Sequence, residues 1–208
     1  MRVLATTLII ASACVGGVVF PAAPASAQTA YDKNLLKNPG AENGSPGASV
    51  PRWETDTGFE AVPYGSPGVP SEKQGASIEG GEQLFSTGPY SENFDACGSG
   101  LQYIKISGRN KDIDNGKVRI SIRGYLGTKS ITDSATVAVQ FRDKNNHQVG
   151  SRQLTLGPVS TKGKLLEDSA ARKVPEGTRI LRVQLLGNVA EQTCDAFFDN
   201  LSVVLELR

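Results

Sequence analysis

The second half of the sequence alternates apolar and polar residues with a period of two. In residues 117–125 (KVRISIRGY), valine or isoleucine stands at every second position up to residue 122, with Lys, Arg and Ser between them. Successive side chains of a β-strand point to opposite faces of the sheet, so this pattern predicts strands with one buried face and one solvated face. The predicted strands are residues 101–107, 117–125, 134–142, 148–156, 178–186 and 201–207.

The first half, residues 34–99, is rich in Gly, Pro and Ser, which interrupt both helices and sheet ladders. It therefore predicts loops between short strands. The segment DKNNHQ between Arg142 and Val149 supplies the turn of a hairpin. The predicted fold class is all-β, an antiparallel two-sheet β-sandwich in a single domain over residues 34–208.

Residues 1–27 have the pattern of a secretory signal peptide. Met1 and Arg2 precede an apolar run that reaches Phe20, and small residues stand at Ala25 and Ala27. A membrane anchor and a lipid-bearing Cys14 are the alternatives. Cleavage after residue 27 would leave a flexible mature N-terminus at 28–33 and a secreted, extracellular protein.

Cleavage would also leave two cysteines, Cys97 and Cys194. In an exported protein they predict one disulfide. Two free thiols or a shared metal are the alternatives, although two thiols without a neighbouring histidine make a poor zinc site.

The charge of the chain excludes several kinds of partner. Removing Arg2 from the 22 basic residues leaves 21 against 21 acidic ones, a formal charge of zero. This argues against nucleic acid and against an anionic membrane surface as partners. The one histidine, His147, excludes a site built from several histidines and is predicted to be a solvated turn residue.

Two segments at opposite ends of the mature chain carry a family resemblance. NLLKNPGAENG at residues 34–44, with PRW at 51–53, resembles the opening strand of galactose-binding-like jelly rolls. CDAFFDNLSVVL at residues 194–205 resembles their closing strand. That superfamily includes carbohydrate-binding modules of secreted bacterial proteins.

The resemblance implies a jelly roll whose first and last strands lie close together, with a structural calcium near their junction. The positions that match the family's carboxylate ligands are Glu42 and Asp199, and calcium would take its other ligands from backbone carbonyls. The alternative is that Glu42 faces solvent and Asp199 only shapes a bulge.

Carbohydrate-binding proteins stack sugar rings on aromatic side chains. Tyr64, Tyr90 and Tyr125 stand in Gly/Pro-rich contexts and are the predicted ligand-binding residues. Trp53 is predicted to belong to the core, as large apolar rings usually do. The predicted core also includes Phe141, Phe197 and Phe198.

No catalytic motif stands out in the sequence. A pair of carboxylates is enough for a glycosidase, but the spacing of the acidic residues singles out no pair. The predicted function is a secreted, monomeric, non-catalytic carbohydrate-binding module that binds extracellular glycan or polysaccharide. An adhesion or protein-interaction domain on the same scaffold, and a carboxylate-based glycoside hydrolase, are the alternatives.

Overall fold

The computed structural model describes residues 31–56, 58–88, 97–188 and 194–208. Within these ranges the chain forms ten strands and two short helices. In chain order they are β1 (Glu54–Thr55), β2 (Glu60–Pro63), α1 (Glu72–Ser77), β3 (Gln83–Ser86), β4 (Ser99–Lys105), α2 (Asn110–Asp114), β5 (Val118–Thr128), β6 (Ser134–Arg142), β7 (Leu154–Val159), β8 (Lys164–Lys173), β9 (Ile180–Asn188) and β10 (Ala196–Leu207).

The strands form two five-stranded sheets. The first sheet has the order β2-β3-β10-β5-β8, and the second has the order β1-β4-β9-β6-β7. Every pair of neighbouring strands is antiparallel. The predicted all-β, two-sheet antiparallel sandwich is therefore confirmed.

The inward-facing residues of both sheets form one apolar core. At one end of it, the ring of Phe85 lies between two other rings: its centroid is 5.3 Å from that of Trp53 in an edge-to-face arrangement, and 5.6 Å from that of Phe59 in a stacked one. All three side chains are buried. The prediction that Trp53 belongs to the core is confirmed, and the same holds for Phe141, Phe197 and Phe198.

One predicted strand begins later than expected. The alternation of residues 148–156 predicts a strand from Gln148, whereas β7 begins at Leu154. After the turn, Gln148 makes only an isolated bridge to Arg142, and Gly150 has a φ of +74°, which takes the chain out of extended geometry. The predicted hairpin between β6 and β7 is present, with a longer connection.

Both helices are shorter than two turns. α1 begins after Ser71, whose hydroxyl accepts a hydrogen bond from the Gln74 amide at 3.3 Å and so caps the helix. No helix in the described ranges is long and apolar enough to cross a membrane.

The start of the described chain is fixed to the last strand by one side chain. Oδ1 of Asn34 accepts hydrogen bonds from the amides of Leu36, at 3.1 Å, and Val203, at 3.0 Å. Its Nδ2 donates to the carbonyl oxygen of Leu201 at 2.8 Å. The NLL segment therefore lies against β10, as the resemblance implies for the first and last strands.

Cys97 and Cys194 form the predicted disulfide, with their Cα atoms 5.1 Å apart. Cys97 lies just before β4 of the second sheet and Cys194 just before β10 of the first sheet. The bond therefore joins the two sheets covalently across 97 residues of sequence.

Candidate functional site: a polar sheet face and an acidic junction

The outer face of the second sheet carries a row of three aligned side chains. Tyr103 on β4 pairs with Arg182 on β9, and Arg182 pairs with Gln140 on β6. Their sequence neighbours Ile104 and Leu181 are buried, so alternation turns the three paired residues to the outside. Residues 103, 140 and 182 thus share one face although they lie far apart in sequence.

Hydrogen bonds connect this row to its neighbours. Nη1 of Arg182 donates to Oε1 of Gln184 at 2.7 Å and to Oε1 of Gln140 at 3.4 Å. Nη2 of Arg142 also donates to Oε1 of Gln140, at 2.7 Å. We call this surface the Gln/Arg face; its members are Tyr103, Gln140, Arg142, Gln153, Arg182 and Gln184.

The Gln/Arg face holds its polar groups in place before any ligand arrives. The guanidinium groups of Arg142 and Arg182 donate to the side-chain oxygens of Gln140 and Gln184, and Nε2 of Gln140 lies 3.5 Å from Oε1 of Gln153. A preorganised group loses less entropy on binding than a free one. Nε of Arg142 is buried and has no hydrogen-bond partner within the described part of the chain, which leaves one donor unused.

The aromatic ring on this face is accessible. Tyr103 is 40% exposed, which is unusual for a large side chain in the middle of a sheet. It lines a depression of about 640 Å³ together with Lys105, Asn146 and Ile180. An open aromatic ring beside amides and guanidinium groups can contact the apolar side of a ring-shaped ligand while hydrogen-bonding its polar edge.

A second site lies where the opening segment meets β10. We call it the acidic junction and define it as Glu42, Tyr64 and Asp199. Asp199 accepts hydrogen bonds from the Tyr64 hydroxyl and from the Asn200 amide. Oε1 of Glu42 accepts from the amide of Gln83 at 2.9 Å, and both carboxylate oxygens lie close to the amide of Glu82.

Three glycines leave room for these two carboxylates. A Cβ atom at Gly40 would lie 2.9 Å from Oδ1 of Asp199, and one at Gly80 only 2.3 Å from Oδ2 of the same group. At Gly81, whose φ is +76°, a Cβ would lie 2.5 Å from the carboxyl carbon of Glu42. Adjacent glycines therefore contact one carboxylate each, which brings Glu42 and Asp199 to the same turn.

Ionisation of Asp199 and Tyr64 in the acidic junction is energetically unfavourable, as their raised pKa values show. Burial, with a smaller contribution from the charge of Glu42, raises the pKa of Asp199 to about 7, although the hydrogen bonds from Tyr64 and Asn200 lower it. Burial and the same two carboxylates also raise the pKa of Tyr64 well above its ordinary value. Within the described ranges neither carboxylate forms a salt bridge.

The oxygen atoms of the acidic junction are of the type that Ca²⁺ prefers as ligands. Carboxylate and other hard oxygens are what Ca²⁺ binds, and a cation there would neutralise the buried Asp199 and the exposed Glu42 beside it. The described residues contain no cluster of three or more His, Cys, Asp and Glu side chains. A cation held by Glu42 and Asp199 would therefore need backbone or solvent oxygens as well.

The structure does not bring the three predicted ligand tyrosines together. Tyr64 is only 6% exposed, so its ring is not available for stacking: it packs with Val62, Leu84 and other core residues of the first sheet. The prediction that Tyr64 stacks against a ligand is therefore wrong. Its ring is part of the buried cluster, and its hydroxyl donates a hydrogen bond to Asp199. Tyr90 lies outside the described residues.

Tyr125 is half-buried on the opposite side of the sandwich. It lines a cleft of about 530 Å³ on the outer face of the first sheet, together with Glu79 and Arg123. This cleft adjoins a second one of about 480 Å³ that shares Arg123 and Ser202. Tyr125 therefore remains a candidate ligand contact, but on a different face from Tyr103.

Sequence reasoning missed Tyr103 because it stands in a strand and not in a loop. The signal was present in LQYIKIS, where Gln102, Ile104 and Ile106 are the buried set. An aromatic residue at one of the outward-facing positions of a strand, between buried neighbours, indicates an exposed ring on the face of a sheet. His147, by contrast, lies in the β6–β7 connection with 78% of its side chain exposed, and its Nδ1 is 3.5 Å from a carboxylate oxygen of Asp143.

Solved structures share this fold at low sequence identity. Family 16 carbohydrate-binding module 2 is 20% identical with a TM-score of 0.50, over 82% of this chain and 99% of the module. The enzymatically active domain of tailspike protein 4 from bacteriophage CBA120 is 12% identical with a TM-score of 0.55, over 83% of this chain and 21% of that one. This chain thus spans about a fifth of the length of that enzymatically active domain.

A third structure is TmCBM61 in complex with β-1,4-galactotriose, which is 13% identical with a TM-score of 0.48, over 85% of this chain and 99% of the module. No protein-family model matches the sequence, and no curated protein matches it. The chain is a two-sheet β-sandwich with the jelly-roll fold that it shares with carbohydrate-binding modules.

Proposed function

We propose that the protein is a secreted, non-catalytic carbohydrate-binding module whose ligand lies on the Gln/Arg face. The observation that carries this proposal is the row Tyr103, Arg182 and Gln140, aligned by strand register on the outside of the second sheet. Similarity of fold to a carbohydrate-binding module supports carbohydrate binding. It does not identify which face binds the ligand, because one fold serves many functions.

The chemistry of the Gln/Arg face suits a sugar. A pyranose has apolar C–H groups on its ring faces and hydroxyl groups around its edge. The exposed ring of Tyr103 can cover a ring face, while Gln140, Gln184 and Arg182 can bind the hydroxyls, since an amide both donates and accepts. Their mutual hydrogen bonds fix the side chains, so fewer rotamers are lost on binding.

The composition of this face favours binding over catalysis. Hydrolysis of a glycosidic bond by the common route uses two carboxyl groups that flank the scissile bond. The Gln/Arg face carries amides, guanidinium groups and a phenol instead. These groups orient a substrate but supply neither the acid nor the nucleophile of that route.

The acidic junction is proposed to hold a structural calcium through Glu42 and Asp199. This rests on the convergence of two carboxylates at one glycine turn, on the burial of Asp199, and on the absence of a neutralising salt bridge at either group within the described ranges. A cation there would join the opening segment to β10, so its role would be in stability.

Secretion is proposed from the pattern of residues 1–27 together with the disulfide between Cys97 and Cys194. Structural disulfides form and persist mainly in oxidising compartments outside the cytosol. An extracellular polysaccharide is the ligand that such a protein would meet.

The test is a binding screen of the disulfide-intact protein against neutral and acidic polysaccharides by affinity electrophoresis, followed by titration calorimetry. Tyr103→Ala and Gln140→Ala are expected to weaken binding by about tenfold or more each, as central contacts of an interface do. Tyr125→Ala on the first sheet is the matched control and should leave affinity unchanged.

Two results would overturn the proposal. Retention by none of the polysaccharides at millimolar sensitivity would remove the carbohydrate function and favour a protein partner. Loss of binding in Tyr125→Ala but not in Tyr103→Ala would move the site to the clefts of the first sheet.

A further inference from the structure

The Gln/Arg face contains two arginines, Arg142 and Arg182, that form no salt bridge with any acidic side chain the structure describes. Arg142 and Arg182 donate to the same oxygen, Oε1 of Gln140, from two sides. Within the described ranges neither guanidinium has a carboxylate within 4.0 Å. One neutral amide oxygen is thus shared by two positive charges.

Some arginines elsewhere on the molecule have an acidic partner. Arg123 on the first sheet lies 3.5 Å from Glu167, and Arg179 lies 2.6 Å from Asp114. In both cases the positive charge has an acidic partner of its own. In the described part of the chain, four further arginines also have no carboxylate within 4.0 Å: Arg52, Arg119, Arg152 and Arg172. What distinguishes Arg142 and Arg182 is that both donate to one amide oxygen on the same face.

A third cation lies next to this pair. Lys105 pairs with Ile180 across the β4–β9 register, and Ile180 pairs with Arg142, so residues 105 and 142 stand in one outward row. Lys105 also lines the depression beside Tyr103. It extends the positive charge toward the exposed ring.

Acidic residues near this surface do not offset these charges. Glu54 stands on β1 at the edge of the sheet and pairs with Leu101, one row away from Tyr103. Asp143 follows β6, but its Oδ1 already accepts from the amides of Asn145 and His147. The three cations are therefore not balanced by Glu54, which lies at the sheet edge, or by Asp143, whose carboxylate is hydrogen-bonded within its own turn.

Granted that the Gln/Arg face binds a glycan, we propose that this glycan is an acidic polysaccharide, whose carboxylates bind Arg182 and Arg142 while a sugar ring stacks on Tyr103. This inference rests on the proposed function and names its substrate class. A guanidinium matches a carboxylate through two parallel N–H···O bonds, a geometry that a hydroxyl cannot supply.

The unused donors suit this role. Arg142 donates Nη1 to the carbonyl oxygen of Asn146 at 2.7 Å and Nη2 to Gln140, which leaves its buried Nε without a partner. Because this Nε is shielded from solvent, an incoming oxyanion would instead accept from Nη1 and Nη2, each of which carries a second hydrogen beyond the one bond it makes here. The neutral mature chain as a whole has no such preference for anions.

The experiment compares one polymer in two charge states: polygalacturonate and its methyl ester, titrated against the wild-type protein by calorimetry. The acidic form is expected to bind at least about tenfold more tightly, because charge-assisted hydrogen bonds are roughly twice as strong as neutral ones. Raising NaCl from about 0.05 to 0.5 M should reduce that preference through screening.

Variants locate the effect. Arg182→Gln is expected to weaken binding of the acidic form by a larger factor than binding of the ester, and so to lose most of the preference for the acidic form. Arg182→Lys should keep part of that preference. Arg123→Gln, on the first sheet, is the matched control and should bind both forms as the wild type does. Thermal unfolding of each variant checks that it folds. The comparison of the acid and ester forms with the wild-type protein does not depend on the variants.

The outcomes separate the two proposals. Equal affinity for acid and ester, with loss in Tyr103→Ala, would overturn the acidic substrate and leave the carbohydrate function in place. Binding to neither polymer nor to any neutral glycan would overturn both. Equal affinity for dextran sulfate that Arg182→Gln does not change would mean non-specific polyanion binding and would also overturn the inference.

Discussion

The hydroxyl of Tyr64 donates a hydrogen bond to the carboxylate of Asp199, although 135 residues separate the two in sequence. Tyr64 directly follows β2, and Asp199 lies within β10 where the pairing with β5 shifts register before Ser202. Asn200, at that shift, has a φ of 47°. The bond fixes the direction of the Asp199 carboxylate at an irregular point of the last strand, beside Glu42.

Calcium is expected to stabilise the protein through the acidic junction. A ligand at 100 times its Kd adds about 2.7 kcal/mol to the free energy of unfolding, which raises the Tm of a chain of this size by about 5–10 °C. The measurement is thermal unfolding of chelator-treated protein with and without CaCl₂. Glu42→Gln and Asp199→Asn should each abolish the shift. An unchanged Tm, with no calcium found by metal analysis, would refute the site.

The calcium-free protein is expected to lose stability as the pH rises. The pKa of Asp199 is about 7 in the folded state, because of burial first, and 3.8 ordinarily. Between these values the folded state holds a proton that the unfolded state has released, so the free energy of unfolding falls with rising pH, by at most about 1.4 kcal/mol per pH unit. Urea unfolding in chelator between pH 4 and 7 measures this slope.

Asp199→Asn is the control for that slope, because an amide does not titrate in this range. Its slope between pH 4 and 7 should be flatter than that of the wild type. Equal slopes in the two proteins would show that another group carries the pH dependence. Calcium should also bind more weakly below pH 7, since it competes with the Asp199 proton.

Reduction of the disulfide is expected to destabilise the fold. Cys97 and Cys194 close a loop with a sequence separation of 97 residues, for which the loss of a native disulfide costs about 2–5 kcal/mol. The double variant Cys97→Ala, Cys194→Ala should show this loss in urea unfolding. Intact mass with and without reductant should differ by two hydrogens. Alkylation of both thiols without reductant would contradict the bond.

Phe85 is expected to be among the most sensitive core positions. Its ring is fully buried and contacts the rings of Trp53 and Phe59. Phe85→Ala should lower the free energy of unfolding by about 3–5 kcal/mol, and Phe85→Leu by clearly less, because the cavity is smaller. Leu166→Ala, at a half-exposed position on the first sheet, is the control and should cost little. A small loss in Phe85→Ala would mean that the core can collapse around the missing ring.

The segments at 101–107, 117–125 and 178–186 were predictable because buried side chains alternate with more exposed ones in β4, β5 and β9. The segment at 134–142 was predicted with the bounds that β6 has, and the resemblance of the end segments placed Glu42 near Asp199. Alternation failed after the β6–β7 turn, where Gly150 takes a positive φ that a strand pattern cannot reveal. It also gave no prediction for β8, in which only one of ten side chains is buried.

The candidate binding face could not be predicted because it depends on register between distant strands. Gln140 and Arg182 are 42 residues apart, and nothing in either strand alone aligns them with Tyr103. Tyr64 failed as a predicted platform for a related reason. A Gly/Pro-rich context indicates a loop, but it does not say whether the ring points into the core, as it does here.

The alternation of β4, β6 and β9 has a consequence for how such a protein can change over evolution. Inward residues such as Ile104 and Leu181 hold the sandwich together, while their outward neighbours Tyr103 and Arg182 contribute little to the core. Substitutions at solvated positions usually change stability by less than about 0.5 kcal/mol. Selection for a new ligand could therefore substitute the outward residues one at a time, while the inward apolar residues of the same strands continue to specify the fold.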